Sequence, residues 1–322
     1  MAQKAGGLVY AAACGDCRNV SAVRRLLGGR KVNLVVTSPP YASQRKYDES
    51  SGFKPIPPDE YVSWFKDVAE VIAEVLAQDG SYFLNIKEHA EDGERSLYVK
   101  DLVLAHRRQW GWRFVDEFCW RNTANGVPGG WPNRFKNAWE PVFHFTRSDK
   151  IKFRPDAVSH ASDDVVVYSP SNPKAPSGSG LLGCGADKVK GMARPSNVIE
   201  VKAEGGQGEH SAPYPRALVE FFIKAFTDPG EVIFDPFLGS ASTMVAAMSL
   251  GRSCFGMEIS PGYCDVAVQR AQTFAKKPFL LAGSGATFEQ VKLGRRLGQE
   301  DAIKEDLEEM LAGAQKGAER VR

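Results

Sequence analysis

Two short segments contain the residues whose types and spacing could do chemistry. The first is Ser38-Pro39-Pro40-Tyr41, which combines a hydroxyl acceptor, a carbonyl on a backbone of fixed φ, and a flat aromatic ring. These groups could accept hydrogen bonds from an exocyclic amine and aim its lone pair at a methyl donor. The ring could stack on a base extruded from a duplex. No covalent nucleophile is needed, because positioning and in-line alignment suffice for such a transfer.

The second segment, residues 234–240 (Phe-Asp-Pro-Phe-Leu-Gly-Ser), is a turn between a predicted strand and a predicted helix. It contains one glycine, whereas the dinucleotide fingerprint GxGxxG needs three. A single glycine fits a backbone that passes close to a ligand without a pyrophosphate. Glu258 closes the next predicted strand 23 residues after Asp235, where a carboxylate usually accepts ribose hydroxyls. The pattern predicts a cofactor with a nucleoside part, and Asp235 is expected to contact its charged amino-acid part.

The elements that position these segments alternate between strands and helices. Each segment follows a β-branched apolar run, so each is expected at the carboxyl end of a buried parallel strand, where open α/β sheets bind ligands. The expected strands are residues 8–13, 32–36, 81–86, 113–121, 138–145, 197–201, 231–234 and 253–259, and the expected helices are residues 20–27, 59–77 (capped by Asp59), 97–110, 215–226, 240–250 and 261–276. This alternation is typical of βαβ units and a parallel sheet.

Composition excludes several other classes. No apolar run is long enough to span a membrane, and the amino terminus lacks the apolar core of a signal peptide. The six cysteines form no disulfide framework, and Cys14-Gly-Asp-Cys17 is a lone CxxC motif without a second pair. We therefore expect a cytoplasmic protein with no metal and no membrane association. A Pro-Cys nucleophile is absent from the sequence, which rules out methylation at cytosine C5.

The chain from His210 to Tyr263 resembles the cofactor region of the β-class DNA amino-methyltransferases. The resemblance lies in His210-Ser-Ala-Pro-Tyr-Pro, in the Phe-Asp-Pro-Phe-x-Gly-Ser turn, and in Phe-Gly-Met-Glu258. It implies an α/β Rossmann-like methyltransferase, a mixed, mostly parallel sheet flanked by helices with a small target-recognition insertion. It also implies S-adenosylmethionine as cofactor and double-stranded DNA as substrate. The family usually has glycine where this chain has Ala241, and we expect a negative φ there because alanine disfavours positive values.

The resemblance assigns roles residue by residue. The implied catalytic residues are Ser38, Pro39, Pro40 and Tyr41. The implied cofactor-binding residues are Asp16, His210, Pro213, Pro215, Phe234, Asp235, Pro236, Phe237, Gly239, Ser240, Thr243 and Glu258.

The order of the motifs is that of the β class and suggests four regions. Residues 1–149 form the catalytic half, 150–194 the target-recognition insertion, 195–285 the cofactor-binding half, and 286–322 a charged helical tail. The apolar stripe of that tail could pack on its own domain or contact a second copy, and family members are often homodimers. Basic residues outnumber acidic ones around the tryptophans from Lys100 to Arg154, which suits a phosphate backbone and stacked bases. The residues expected to contact DNA or the target base are Phe143, Trp139, Arg134, Lys136, Lys150 and Lys152, with His144 as an alternative to Phe143.

The sequence leaves two target amino groups possible, N4 of cytosine and N6 of adenine. Ser-Pro-Pro-Tyr is more typical of N4-cytosine enzymes and Asp-Pro-Pro-Tyr of N6-adenine enzymes, so N4-cytosine is favoured and N6-adenine is the alternative. Other hypotheses are an RNA or small-molecule methyltransferase, a DNA-binding regulator without catalysis, and a nucleotide-dependent oxidoreductase. The missing GxGxxG weighs against the oxidoreductase, and the intact residues 38–41 weigh against the regulator.

Overall fold

The structure is a computed structural model that describes residues 1–42, 52–123, 133, 135, 137–161, 192–202 and 214–296. Within these residues the strands are β1 (Ala2–Ala5), β2 (Leu8–Cys14), β3 (Val32–Thr37), β4 (Leu76–Asn85), β5 (Ala90–Glu91), β6 (Glu94–Arg95), β7 (Arg113–Asn122), β8 (Trp139–Thr146), β9 (His160–Ala161), β10 (Met192–Ala193), β11 (Val198–Val201), β12 (Val232–Asp235) and β13 (Ser253–Glu258). The α-helices are α1 (Val20–Leu27), α2 (Tyr61–Val75), α3 (Tyr98–Arg108), α4 (Arg216–Phe226), α5 (Ser242–Ser249), α6 (Pro261–Ala275) and α7 (Phe288–Arg296), and one 3-10 helix spans Pro155–Val158.

Nine of these strands form one sheet in the described part of the chain, in the order β1-β2-β13-β12-β3-β4-β8-β7-β11. The five strands from β2 to β4 in that order run parallel, and β8 enters antiparallel between β4 and β7. The sheet is therefore mixed and mostly parallel, and the predicted fold class is confirmed.

Alternate residues of the central strands face opposite sides of the sheet, as a two-residue period requires. On β3, Val35 joins the core under α1, α2 and α3, whereas Leu34 and Val36 join the core under α4, α5, α6 and α7. Phe234 and Ile233 of β12 divide in the same way. Because both faces are covered, these strands read as continuous apolar runs in the sequence.

The second helix and the strand after it differ from the sequence prediction. Helix α2 begins at Tyr61 with Glu60 as its N-cap, not Asp59, and no side-chain hydrogen bond caps it. Strand β4 begins directly afterwards at Leu76. The sequence predicts a turn at Asp79-Gly80, between the predicted helix 59–77 and the predicted strand 81–86. In the structure these two residues lie inside β4, where the pairing of β3 with β4 shifts register between Val32 and Leu34. A β-bulge thus takes the place of the expected turn, since both arrangements suit the same residue types.

The start of the predicted insertion packs against the cofactor-binding half. The backbone N–H of Arg154 donates to the carbonyl of Ala225 in α4 over 2.7 Å, and Phe153 stacks on Phe226. This segment lies at the edge of the sheet where β12 begins, because Lys152 pairs with Asp228 there over 2.9 Å. Residues 162–191 of the insertion lie outside the described residues, so the four-region division stays a prediction.

Candidate active site

The catalytic and cofactor segments meet at the point where the order of the strands reverses. Strands β12 and β3 are hydrogen-bonded neighbours, and the chain leaves them toward opposite sides of the sheet, to β13 and to β4 respectively. Such a switch point opens a crevice beyond the carboxyl ends of the strands. The structure therefore brings residues 38–41 and 236–240 together, as the sequence predicted, although they are about 200 positions apart in the chain.

The turn after β3 is fixed from three sides. Thr37 Oγ1 donates to Asp235 over 2.6 Å, and the Tyr61 hydroxyl donates to the Pro40 carbonyl over 2.6 Å. The Tyr41 hydroxyl donates to Glu140 Oε2 over 3.0 Å, and only 7% of Tyr41 is exposed. Ser38 and Pro40 stay partly exposed, whereas Pro39 is buried. The segment thus presents its serine on a backbone that has little freedom to move.

Asp235 does not face the crevice, which corrects the predicted contact with the cofactor. Its fully buried carboxylate accepts hydrogen bonds from the hydroxyls of Thr37, Thr243 (2.5 Å) and Tyr214 (3.0 Å), and from the backbone N–H of Phe237 (3.1 Å). Burial raises the pKa of this carboxyl, and the surrounding donors partly offset that effect. Asp235 therefore links the catalytic turn to the cofactor turn.

Two residues of the cofactor turn adopt the left-handed backbone conformation. Gly239 has φ of +51°, and Ala241 has φ of +66° as the N-cap of α5. The expectation of a negative φ at Ala241 is wrong, because this alanine is the N-cap of α5 and lies in the left-handed region, which disfavours a Cβ. Gly256 of the neighbouring strand leaves room for this turn, since an added Cβ would lie 2.6 Å from the Leu238 side chain.

Two acidic groups flank the turn at the ends of β13 and β2. Glu258 accepts the backbone N–H of Gly239 over 2.8 Å and that of Ser260 over 2.9 Å, and burial raises its pKa. Each carboxylate oxygen keeps a lone pair that a ribose hydroxyl could use. Asp16 forms an ion pair with Arg18 over 2.7 Å. Burial alone would raise the pKa of Asp16, but the hydrogen bonds from Arg18 hold it below its ordinary value.

Two aromatic rings continue this side of the crevice. Phe237 and Trp64 are both partly exposed, their ring centroids lie 6.0 Å apart, and Arg18 lies 6.0 Å over the Trp64 ring. Apolar rings, turn N–H groups and two carboxylates are the groups that a nucleoside with a charged amino-acid part requires. The residues present therefore fit S-adenosylmethionine.

The other predicted cofactor residues lie around this turn in different environments. Phe234, Pro236, Thr243 and Pro215 are buried in this structure, and their contact with the cofactor stays a prediction. Ser240 is partly exposed, and its hydroxyl accepts a hydrogen bond from Arg270 over 3.1 Å. His210 and Pro213 lie outside the described residues.

A pocket of about 550 Å³ lies near the beginning of β8, and Glu140, whose sequence neighbours Trp139 and Pro141 line it, bonds to Tyr41 of the catalytic turn. It is lined by Lys87, Glu88, Arg95, Lys100, Phe135, Asn137, Trp139 and Pro141. Trp139 is 46% exposed and stays available to a ligand, as the sequence predicted for a DNA contact. The volume lies within the range of small-molecule and cofactor pockets, so the pocket could hold a nucleobase.

Three of the residues expected to contact DNA lie elsewhere. Phe143 is 1% exposed in the core because it points into the sheet face covered by α3, and the alternative His144 is buried on the opposite face. Lys150 and Lys152 lie near the amino-terminal ends of the parallel strands, because β8 runs antiparallel and carries the chain away from the crevice. These three assignments are wrong in this structure. Arg134 and Lys136 lie outside the described residues.

Sequence reasoning missed several residues that support the site. Tyr61, Tyr214 and Glu140 each bond to the catalytic turn or to Asp235 from another element. Glu140 had a recognisable signal, since it is the one acidic residue of a strand that is mostly apolar and aromatic. Tyr61 had none, because it belongs to the apolar stripe of α2, which conceals its hydroxyl. Tyr214 lies within the His210-Ser-Ala-Pro-Tyr-Pro segment, but nothing in that segment indicates that its hydroxyl contacts Asp235.

Comparison with protein families agrees with this geometry. Residues 32–269 match the model of the N6 and N4 DNA methylases, described as "DNA methylase". The match covers most of the chain, so this protein belongs to that family. It is an S-adenosylmethionine-dependent methyltransferase that acts on DNA, and the predicted class and cofactor are confirmed.

Individual relatives give more detail. The chain is 28% identical over 264 residues to the type II methyltransferase M.PvuII of Proteus hauseri, which covers 74% of this chain and 77% of the relative. It is also 28% identical to the type II methyltransferase M.Cfr9I of Citrobacter freundii, over 79% of this chain and 85% of the relative. The solved structure of the cytosine-N4-specific PvuII DNA methyltransferase superposes with a TM-score of 0.59 at 23% identity. That superposition covers 82% of this chain and 89% of the other, and at this identity it supports the fold.

Two further observations concern the described part of the chain. No helix there is long and apolar enough to cross a membrane. No group of three or more His, Cys, Asp or Glu side chains is arranged there to hold a metal ion, and Cys17 of the CxxC motif is buried.

Proposed function

We propose that this enzyme methylates the N4 amino group of cytosine in duplex DNA. The observation that carries the proposal is the position of Ser38-Pro39-Pro40-Tyr41 at the switch point, beside the cofactor turn and joined through Glu140 to the pocket wall. A serine rather than an aspartate begins this turn, as is more typical of N4-cytosine enzymes. The specificity of the similar PvuII enzyme, stated as cytosine-N4, supports the same base.

The residues of the catalytic turn would prepare the amine for transfer. Ser38 Oγ and the Pro39 carbonyl would accept the two N–H groups, which turns the nitrogen lone pair away from the ring. Pro39 and Pro40 donate no competing N–H, and the anchored Tyr41 ring limits how the base can tilt. When bound, S-adenosylmethionine supplies an activated methyl group, so the protein contributes positioning.

The cofactor would lie across the carboxyl ends of β12 and β13. Glu258 would accept the ribose hydroxyls, and Phe237 with Trp64 would cover an apolar part of the nucleoside. Asp16 lies on the same side and would be near the adenine. Since Asp235 is enclosed by its donors, the amino-acid part would contact other residues of the turn.

The test is a nucleoside analysis after methylation. The purified enzyme is incubated with labelled S-adenosylmethionine and unmodified genomic DNA, and the digest is analysed by mass spectrometry. Labelled N4-methylcytosine is the expected product, and Ser38→Ala should lower its yield at least tenfold. Ser63→Ala, which removes an exposed serine hydroxyl on α2, is the matched control and should keep full activity.

Each other outcome overturns part of the proposal. Labelled N6-methyladenine contradicts the base, and label found only with an RNA substrate contradicts DNA as the substrate. No product from a protein that binds the cofactor favours a DNA-binding protein without catalysis. Full activity in Ser38→Ala contradicts the role of the serine.

We also propose that the enzyme is a homodimer that uses its carboxyl-terminal region. Phe288 and Val291 of α7 are buried against their own domain, whereas Leu293 on the same helix is 57% exposed. The exposed leucine is continuous with residues 297–322, the rest of the charged tail. Sedimentation should give a dimer for the whole chain and a monomer for Leu293→Glu. An unchanged dimer in that variant would place the interface elsewhere.

We propose the cytoplasm as the place of action, because a bacterial DNA substrate lies there. Fractionation of cells that express the whole chain should recover the protein with the cytoplasmic fraction. Recovery in a membrane pellet that resists high salt would contradict this.

A further inference from the structure

The anchor of Tyr41 differs from an ordinary buried tyrosine contact. Its single phenolic hydrogen faces two acceptors, Glu140 Oε2 at 3.0 Å and Asn85 Oδ1 at 3.4 Å. A phenol can donate only once, and the shorter bond to a carboxylate is the stronger one. Glu140 is therefore the principal acceptor.

Glu140 is itself held by a second charged group. Lys87 Nζ donates to Glu140 Oε1 over 2.5 Å, and both side chains are mostly buried. The Lys87 carbonyl accepts the hydroxyl of Tyr98 at the beginning of α3 over 2.9 Å. Asn85, the last residue of β4, donates to the Pro141 carbonyl over 3.1 Å. The carboxylate thus has a fixed position relative to the ends of both β4 and β8.

The location of this pair connects it to the pocket. Lys87, Trp139 and Pro141 line the pocket, and Glu140 lies between the last two in sequence. The two other anchors of the turn, Tyr61 and Asp235, belong to α2 and to β12. Of these three anchors, Glu140 is the one whose neighbours in the sequence line the pocket. Movement of Glu140 would therefore change the Tyr41 ring without changing the cofactor turn.

We propose that Glu140, with Lys87 as its counter-charge, is a positioning residue that fixes the Tyr41 ring against the extruded base. It acts through Tyr41 and does not itself exchange protons with the substrate. The inference rests on the methyl transfer proposed above and applies whether the amino group belongs to cytosine or to adenine. It adds a positioning pair to a reaction for which the sequence singled out only residues 38–41.

The experiment is a double-mutant cycle on single-turnover methylation. Tyr41→Phe and Glu140→Ala should each lower the single-turnover rate about 10- to 100-fold, because small displacements of a reacting geometry have effects of this size. The double variant should be no slower than the slower single variant, since both changes remove one contact. Cofactor affinity should stay within twofold of the wild type. Glu140→Gln, which keeps an acceptor oxygen but loses the charge, should lie between Glu140→Ala and the wild type.

A fluorescence measurement tests the inference independently of transfer. 2-Aminopurine at the target position of the DNA is quenched when it stacks on an aromatic ring, so Glu140→Ala should increase its emission in the complex. Glu200→Ala is the matched control, because Glu200 forms an exposed ion pair of 2.8 Å with Arg121 on the outer strands. That variant should match the wild type in rate and in emission.

The failure of this inference is distinguishable from the failure of the proposed function. A wild-type enzyme that makes no methylated nucleoside contradicts the function, and the fluorescence arm still tests the anchor. A fully active Glu140→Ala, rate losses that multiply in the double variant, or an equal loss of cofactor affinity contradicts the anchor alone. If Glu140→Ala does not fold, Glu140→Gln and Lys87→Met decide the same question by rate and emission.

Discussion

The hydrogen bond from Thr37 to Asp235 should stabilise the fold in a way that depends on pH. Thr37→Val keeps the shape of the side chain and removes one of four donors to a buried carboxylate. Hydrogen bonds to charged groups contribute about 1.5–3 kcal/mol, and the unsatisfied oxygen cannot reach water. With a urea m-value of about 3 kcal/mol/M, the unfolding midpoint should fall by about 0.5–1 M.

The sign of the pH dependence follows from the pKa of Asp235. Burial raises this pKa above its ordinary value, so the folded protein binds the proton more tightly than the unfolded chain does. Stability from this group is therefore present at low pH and is lost as the pH rises through the folded pKa. Thr37 is one of the donors that lower the pKa, so Thr37→Val raises it further. The variant should lose least at acidic pH, where the carboxyl is protonated, and most near neutrality.

Urea unfolding of three variants at two pH values, one acidic enough to protonate Asp235 and one near pH 8, provides the test. Thr37→Ser keeps the hydroxyl and removes one methyl group, so it should lose only about 0.8 kcal/mol at either pH. Thr243→Val removes a comparable hydroxyl from the same carboxylate and should resemble Thr37→Val in stability. Both changes should also lower the methylation rate, because both remove a donor to Asp235, and the change at Thr37 should lower it more, because Thr37 immediately precedes Ser38. Equal losses for Thr37→Val and Thr37→Ser at both pH values would refute the reasoning.

Three further predictions follow from buried groups and ion pairs. Burial lowers the pKa of His144 to about 3 and that of His106 to about 4. The free energy of unfolding should therefore fall by up to about 1.4 kcal/mol per pH unit for each histidine as the pH drops below about 6.5. A urea midpoint that does not change between pH 7 and pH 5 would contradict this. Gly256→Ala should destabilise the fold by about 1–3 kcal/mol, because the added Cβ would displace Leu238 beside the cofactor turn. The same change should weaken cofactor binding measured by calorimetry, and an unchanged affinity would contradict this. Lys152→Met should lower the melting temperature but leave DNA affinity in filter binding unchanged, since Lys152 pairs with Asp228 away from the crevice; weaker DNA binding by a folded variant would contradict this.

The central sheet could be predicted from the sequence because its strands are covered on both faces. Runs such as Val32–Thr37 are mostly β-branched or apolar, with four apolar residues among six, and turn residues bound them clearly. The beginning of β4 could not be predicted, because Asp79-Gly80 suits a turn and a bulge equally well. The boundary at residue 150 had a similar difficulty. Its polar composition indicated an insertion, whereas Phe153 and Arg154 pack on α4.

The site could be predicted in its motifs but not in its contacts. The sequence placed Asp235 and residues 38–41 at the carboxyl ends of two parallel strands, which share one end of the sheet. It could not tell that the Asp235 carboxylate points inward, since a side chain at a strand end can face either the ligand or the core. The prediction that Lys152 contacts DNA failed for a related reason. One antiparallel strand, β8, reverses the direction of the chain, so basic residues near Trp139 in sequence lie near the amino-terminal ends of the parallel strands.

The inward position of Asp235 changes how the two halves of the site can be understood. A carboxylate that bound the cofactor directly would act on affinity alone. Here the same carboxylate receives Thr37 from the catalytic turn and the Phe237 N–H from the cofactor turn. Because both turns depend on one buried anion, a displacement of either must disturb the other. Methyl transfer needs the amine and the methyl group aligned in line, and a shared internal anchor fixes that alignment before either ligand binds.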